Sequence, residues 1–167
     1  MASQLPKRVH HSRTESSEFL PQNPIKRTML TVFAPSTSAG LTQTNSNALY
    51  HYNARDHELE LRRTGLFHAD LAKLTLGQDM LHSANVVILI AAVMERTMWK
   101  YGQRGYRYVF FDARHLGQNL YLAATASHIG IAAIGGFFDE EVNSLCQLPE
   151  GEAVIYMLCA GMPKAGL

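Results

Sequence analysis

The run from Arg104 to about His128 constrains this chain most, because it is long, free of proline and apolar on more than one side. Val109, Ala113, Leu116, Leu120 and Ala123 follow the i, i+4, i+7 spacing of one helical face. Phe110, Leu122 and Ala124 place apolar side chains on other faces. A helix apolar on most sides belongs in the middle of a core or in a subunit interface. The rest of the chain is therefore expected to cover it. With 167 residues there is room for one domain with a substantial core, not two.

Composition removes several function classes. A hydrophobic content of 47% with 17% charged residues is that of a soluble globular protein. A net charge of +1 gives no electrostatic basis for binding nucleic acid or an anionic membrane. The longest apolar run, Val86 to Met94, is about half of what a bilayer span needs. The first twenty residues lack the apolar core of a signal peptide, so the cytoplasm is the expected compartment. Cys146 and Cys159 have no metal-ligand or disulfide-framework spacing and read as reduced thiols.

Along the chain, residues 1–30 are polar, interrupted by Pro6, Pro21 and Pro24, and read as a flexible arm; residues 31–167 form the domain. Met29 to Phe33 is a candidate short strand, and Pro35 to Asn47 a Ser/Thr/Asn-rich loop. Ala48 to Tyr52 and Glu58 to Arg62 alternate and form a hairpin around Asn53 to His57. Two short helices, Asp70 to Leu76 and Asp79 to His82, flank Gly77. The β-branched run Val86 to Val93 is a buried strand, and Glu95 to Tyr101 a short helix closed by Gly102. After the long helix Gly130 stops the chain, and Ile131 to Ile134 is a strand. Asp139 is expected to cap a helix over Glu140 to Gln147, and Glu152 to Ala160 is the last strand. Strands and helices in this irregular order indicate an α+β fold.

Four blocks in this order resemble the nitroreductase-like flavoenzymes, and within them the SagB-type dehydrogenases. They are LYHYN (Leu49 to Asn53), ERTMWKYGQRGYRY (Glu95 to Tyr108), HLGQNLYLAATA (His115 to Ala126) and IGGF (Ile134 to Phe137). The resemblance spans Ala48 to Gly161. It implies a central mixed or antiparallel sheet flanked by helices, a long buried central helix, and FMN held at a homodimer interface. It also implies oxidation of thiazoline or oxazoline rings in peptides to azoles, beside a cyclodehydratase partner.

The same resemblance assigns site residues. Lys100 and Tyr101 match a Lys-Tyr pair used for proton transfer. Both side chains normally titrate near 10, so either needs a shifted pKa or coupling to the flavin to act as a base at neutral pH. Burial and the neighbouring Arg96, Arg104 and Arg107 favour a neutral lysine, whereas a helix C-terminus favours a charged one. Without the resemblance, Lys100 is a helix-end lysine, Tyr101 a packing residue and Trp99 a core anchor. Gly135-Gly136 after Ile134 lets backbone approach a planar ligand. Ser36, Ser38 and Gly40, in a segment similar to the family's Pro-Ser-Ala-Gly, are further cofactor candidates. Lys164 is a candidate for the FMN phosphate, with Arg8, Arg13 and Lys26-Arg27 as looser ones. Asp112, His115 and Asn119 share one stripe of the long helix. No second His/Cys cluster and no HExxH accompany them, so no metal is expected, and the stripe reads as an interface or a satisfied polar network.

The sequence departs from the family mainly before Ala48. The amino-terminal helices are missing, two residues are added near Ser36, and polar Leu41 to Asn47 replaces a strand. Such a loss leaves edge groups unpaired and an apolar face uncovered, for a partner subunit to cover or as the mark of a truncated copy. Within the long helix Arg114 and Gly117 also depart, and a central glycine costs about 1 kcal/mol against alanine. The leading expectation is an FMN-dependent azoline dehydrogenase. The alternatives are an NAD(P)H-dependent nitro or quinone reductase of the same fold, and a non-catalytic dimerising remnant.

Overall fold

A computed structural model of the chain describes residues 28–33, 47–65 and 67–163, with side chains from Ala48 onward. Among the described residues six strands form one sheet in the order β3-β2-β1-β4-β6-β5. They are β1 (Thr28–Phe33), β2 (Asn47–Asn53), β3 (Glu58–Thr64), β4 (Val86–Val93), β5 (Gly130–Ile134) and β6 (Glu152–Gly161). Every pairing is antiparallel, which resolves the mixed-or-antiparallel expectation. The helices are α1 (His68–Leu74), α2 (Met80–Ser83), α3 (Glu95–Tyr101), α4 (Arg104–Ala126) and α5 (Asp139–Cys146). The fold is α+β, as expected.

Strand β4 lies in the middle and sorts the core by parity. Side chains alternate across a strand, so Val87, Leu89 and Ala91 join Met157, Cys159 and Ile134 on one face of the sheet. There they meet Leu71 of α1, Leu81 of α2 and Val142 of α5. Ile88 and Ile90 join Leu158 on the other face, under Ala113 of α4. Helices therefore cover both faces of the β4-β6-β5 half. A strand that is apolar at every position needs this arrangement, since each fully buried aliphatic side chain contributes roughly 1.5–3 kcal/mol.

Helix α4 differs from the expectation in how much of it is covered. It buries one stripe, Gly105, Val109, Ala113, Gly117 and Ala124. Leu116 and Leu120 are half-buried, Ala123 is exposed, and Leu122 stands 62% exposed. Within one chain α4 is a flanking helix with an open outer side. Gly117 also has a packing reason. A Cβ there would lie 2.8 Å from the Tyr156 ring, so the glycine seats α4 on β6.

Several boundaries moved for local reasons. Asp139 is the first residue of α5, not its cap; Phe138 holds the capping position in extended backbone, and no side chain caps the helix. Gly130 does not stop α4. His128 takes the left-handed conformation (φ +56°), while the backbone N–H of Ser127 donates to the carbonyls at the helix end, and Gly130 opens β5. Gly102 does adopt positive φ after α3, with its N–H donating to Met98 O at 2.7 Å. Trp99 is 67% exposed and is no core anchor. The expected arm lies outside the described residues up to position 27, as does the polar loop at 34–46.

Helices α3 and α4 touch backbone to backbone. A Cβ at Gly105 would lie 2.8 Å from Met98 Cα and 2.9 Å from Thr97 C, where nothing flexible can yield. Gly105→Ala is therefore expected to force α3 off α4 and to destabilise the protein by about 1–3 kcal/mol, read as a lower Tm. Gly77→Ala, where added atoms meet nothing within 4 Å but φ is +75°, tests strain alone and should cost less.

Candidate functional site

Two parts of the expected site end up at one end of the sheet. Strands β4 and β5 both run antiparallel to β6 and so parallel to each other. Their C-terminal ends lead into α3 and into the Gly135-Gly136 turn respectively. One strand, β6, separates the two exits.

On α3, Lys100 and Tyr101 occupy the last turn and both are exposed. Lys100 Nζ sits 5.3 Å from the centre of the Tyr101 ring, a cation–π distance. Tyr108 of α4 meets the Tyr101 ring edge-on, with centroids 5.0 Å apart. Lysine and two tyrosines thus form a cluster across the α3–α4 junction. The burial invoked for Lys100 is not supplied by its own chain. One turn earlier, Thr97 is buried and its Oγ1 has no hydrogen-bond partner among the described residues. A buried hydroxyl without a partner is costly.

At the β5 exit, Ile134 is buried, while Gly135 and Gly136 are exposed. A Cβ at Gly135 would meet nothing within 4 Å, and one at Gly136 would meet only Leu76 Cδ1 at 3.5 Å. Neither glycine has a positive φ. Their lack of side chains is not a demand of the backbone turn; it leaves open space against a peptide plane. The turn is held from two sides. The Ala133 N–H donates to the Tyr121 hydroxyl of α4 at 2.8 Å, and the Phe138 N–H donates to Leu74 O at 2.9 Å.

An open glycine surface suits the flat ring of FMN, and in that respect the residues present fit the cofactor. Ser36, Ser38, Gly40 and Lys164 lie outside the described residues, as do Arg8, Arg13 and Lys26-Arg27. Asp112, His115 and Asn119 are all exposed on α4. No group of three or more His, Cys, Asp or Glu among the described residues could hold a metal ion. Two surface clefts lie elsewhere, one between α1 and α5 around Leu74 and Leu145, the other beside β2 and β3 around Arg63 and Cys146. Neither contains Lys100, Tyr101 or the glycines. Tyr108, Tyr121 and Thr97 are the residues that sequence reasoning missed. Tyr121 carried a signal, being a polar-tipped ring in an otherwise apolar segment.

Comparison with known proteins agrees with this architecture. The nitroreductase family profile matches residues 12–162. The chain belongs to the nitroreductase family. Within or near it, the Methanocaldococcus jannaschii protein MJ1384, named as a nitroreductase, is 40% identical over 81 residues, 48% of this chain and 41% of its own. The trifolitoxin operon protein TfxC of Rhizobium leguminosarum bv. trifolii is 28% identical over 114 residues, 68% of this chain and 32% of its own. Among solved structures, a nitroreductase from Anabaena variabilis superposes with a TM-score of 0.72 at 35% identity, over 83% of this chain and 27% of that one. A chain of the Escherichia coli microcin synthetase McbBCD complex, with truncated pro-MccB17 bound, superposes with a TM-score of 0.71 over 84% of this chain and 53% of that one. At 20% identity that likeness speaks for the fold alone. The chain spans less than half the length of the two curated relatives. No helix among the described residues is long and apolar enough to cross a membrane.

The two thiols stand apart from this nitroreductase-family site. Both are free and buried. Burial pushes Cys146 up to about 12, against a smaller opposing effect of Arg63. Burial also raises Cys159, whose Sγ donates to Ala132 O at 3.6 Å. At pH 8 only about one Cys146 in ten thousand is a thiolate on that basis. Neither thiol is expected to react with a disulfide reagent at pH 8 in the folded protein, and both should titrate at once in denaturant.

Proposed function

We propose that this chain is an FMN-dependent oxidoreductase that oxidises azoline rings in a peptide to azoles, with the flavin held between two copies of the chain. The open face at Gly135 carries this reading. A nitroreductase-family chain presents a bare peptide plane at the end of β5, where an added Cβ at Gly135 would meet none of the described residues within 4 Å. Gly135 and Gly136 would lie against the ring, with Ile134 packed behind them and Tyr121 fixing the strand that precedes them. Ser36, Ser38, Gly40 and Lys164 are the proposed remaining cofactor contacts, Lys164 for the phosphate.

The reaction removes one proton from a ring carbon and one hydride from its neighbour, turning a C–C single bond of the azoline into the aromatic double bond. When bound, FMN would supply the two-electron oxidation that this requires. Lys100 or Tyr101 takes the proton. The edge-on contact with Tyr108 fixes the ring of Tyr101, with Lys100 Nζ beside it, and closure by a second copy would supply the desolvation that a lysine base requires. The exposed Asp112, His115 and Asn119 would sit in that closure on α4.

TfxC, encoded in a trifolitoxin operon, and the microcin synthetase complex with its bound pro-peptide give the peptide-modifying context from which this substrate class is drawn. They also motivate a cyclodehydratase as the proposed partner in a cytoplasmic assembly. A second reading, reduction of nitroaromatics or quinones with a nicotinamide donor, draws on the likeness to MJ1384.

Purified chain supplied with FMN is expected to be yellow, with about one flavin per chain by absorbance. Gly135→Ala should keep the Tm of the flavin-free protein unchanged, because an added Cβ meets no described protein atom within 4 Å, yet lower flavin occupancy at least about tenfold by filling the space against the ring. Colourless wild-type protein favours a remnant without cofactor. Lys100→Ala should retain flavin while azoline oxidation falls by about 100-fold or more; unchanged turnover would remove the proton-transfer role.

A further inference from the structure

Of the two surface clefts, the one beside β2 and β3 carries the denser set of charged side chains. It is about 250 Å³ in volume and lies between the β2–β3 hairpin and the turn that follows α5. Leu49 and Cys146 of its lining belong to the core on the α1, α2 and α5 side of the sheet, across from α4. Backbone hydrogen bonds hold its wall on the α5 side in place. Gln147 takes the left-handed conformation (φ +52°), and the N–H groups of Leu148 and Glu152 donate to Asn143 O and Pro149 O, each at 3.1 Å.

Two adjacent residues, Arg62 and Arg63, both line this cleft. In a regular strand they could not, because neighbouring side chains point to opposite faces. The register of β3 supplies the reason. Arg63 is opposite Leu49 and Leu61 is opposite Tyr50, so Arg62 is an extra residue bulged out of the pairing. A bulge bends its strand and re-aims side chains, and bulges are over-represented next to functional sites. Arg63 is positioned further by two contacts. Its guanidinium lies 4.6 Å from the centre of the Phe67 ring, and its Nη1 donates to Leu145 O at 3.2 Å. A guanidinium has five N–H donors, and Leu145 takes one of them. Among the described residues Arg62 makes no hydrogen bond or ion pair.

We propose that this cleft binds a small organic monocarboxylate, with its carboxylate on Arg62 and Arg63 and its short apolar body against Leu148 and Pro149. The fork of a guanidinium matches the two oxygens of a carboxylate. Charge favours a carboxylate over a phosphate. Two arginines against the acidic Glu152 leave one positive charge in excess, histidine being counted as neutral. Size points to a small ligand, since sites for drug-sized molecules run to roughly 300–1,000 Å³. The anion bridges the β2–β3 hairpin to the turn after α5. The site is separate from Lys100 and Gly135 and goes beyond the proposed flavin chemistry.

Titration of the isotope-labelled full chain with sodium butyrate at constant ionic strength, followed by NMR, tests it. The amide and Nε–H signals of Arg62 and Arg63 are expected to shift and to saturate, with a dissociation constant on the order of 1 mM. Arg62→Gln should raise that constant by about tenfold or more, whereas Arg114→Gln on α4 should leave it unchanged. Arg62 is exposed, so the fold is expected to survive the change. If it does not, Arg62→Lys, which keeps the charge and loses the fork, takes its place, and unchanged affinity in that variant overturns the proposal. Shifts that do not saturate, or that saturate equally in wild type and Arg62→Gln, also overturn it. So does inorganic phosphate that binds at least as tightly as butyrate. Flavin separates this site from the other. Butyrate affinity that is the same with and without added FMN supports a second site, and displacement of butyrate by FMN overturns it.

Discussion

The structure depends on β4 being apolar at every position. A half-buried strand can face water on one side, but Val86 to Val93 cannot, so a layer must form on each face of the sheet. The layer of α1, α2 and α5 and the layer of α4 follow from that requirement. So does the parity that sends Val87, Leu89 and Ala91 one way and Ile88 and Ile90 the other. The same strand delivers the chain into α3, and its neighbour but one delivers it into Gly135. The site's position is thus inherited from the core.

Much of this was legible in the residues. The bounds of β4 were readable because a β-branched apolar run is bounded by polar Asn85 and by a switch to helical spacing at Glu95. The β2–β3 hairpin showed through alternation, and α4 through its period and lack of proline. Caps were less legible. Asp139 looked like an N-cap by type, yet Phe138 N–H is tied to Leu74 O, and that tertiary bond sets where α5 begins. Gly130 looked like the helix stop, but a non-glycine residue, His128, takes the left-handed turn because the N–H of Ser127 can still satisfy the last carbonyls. Such choices are decided by contacts across the fold, which spacing along the chain does not encode.

The candidate site was read by residue and not by arrangement. Lys100, Tyr101 and the two glycines could be picked out by likeness to a family, but Tyr108 and Tyr121 enter only when helices are in place. Gly117 and Gly105 show the same limit. In sequence they are weak points of a helix; in space they are where α4 comes down onto Tyr156 and onto the backbone of α3. Burial also went differently from expectation: Trp99, Lys100 and Phe111 are exposed on α3 and α4.

The hydroxyl of Tyr121 does more than steady the strand beside it. As an outermost strand, β5 would otherwise offer its Ala133 amide to any extended chain in reach, and the phenol occupies that amide first. At the far margin, β3 interleaves Glu58, Glu60 and Arg62 with its leucines. Among the described residues both margins of the sheet thus carry a device that discourages a further strand from pairing there.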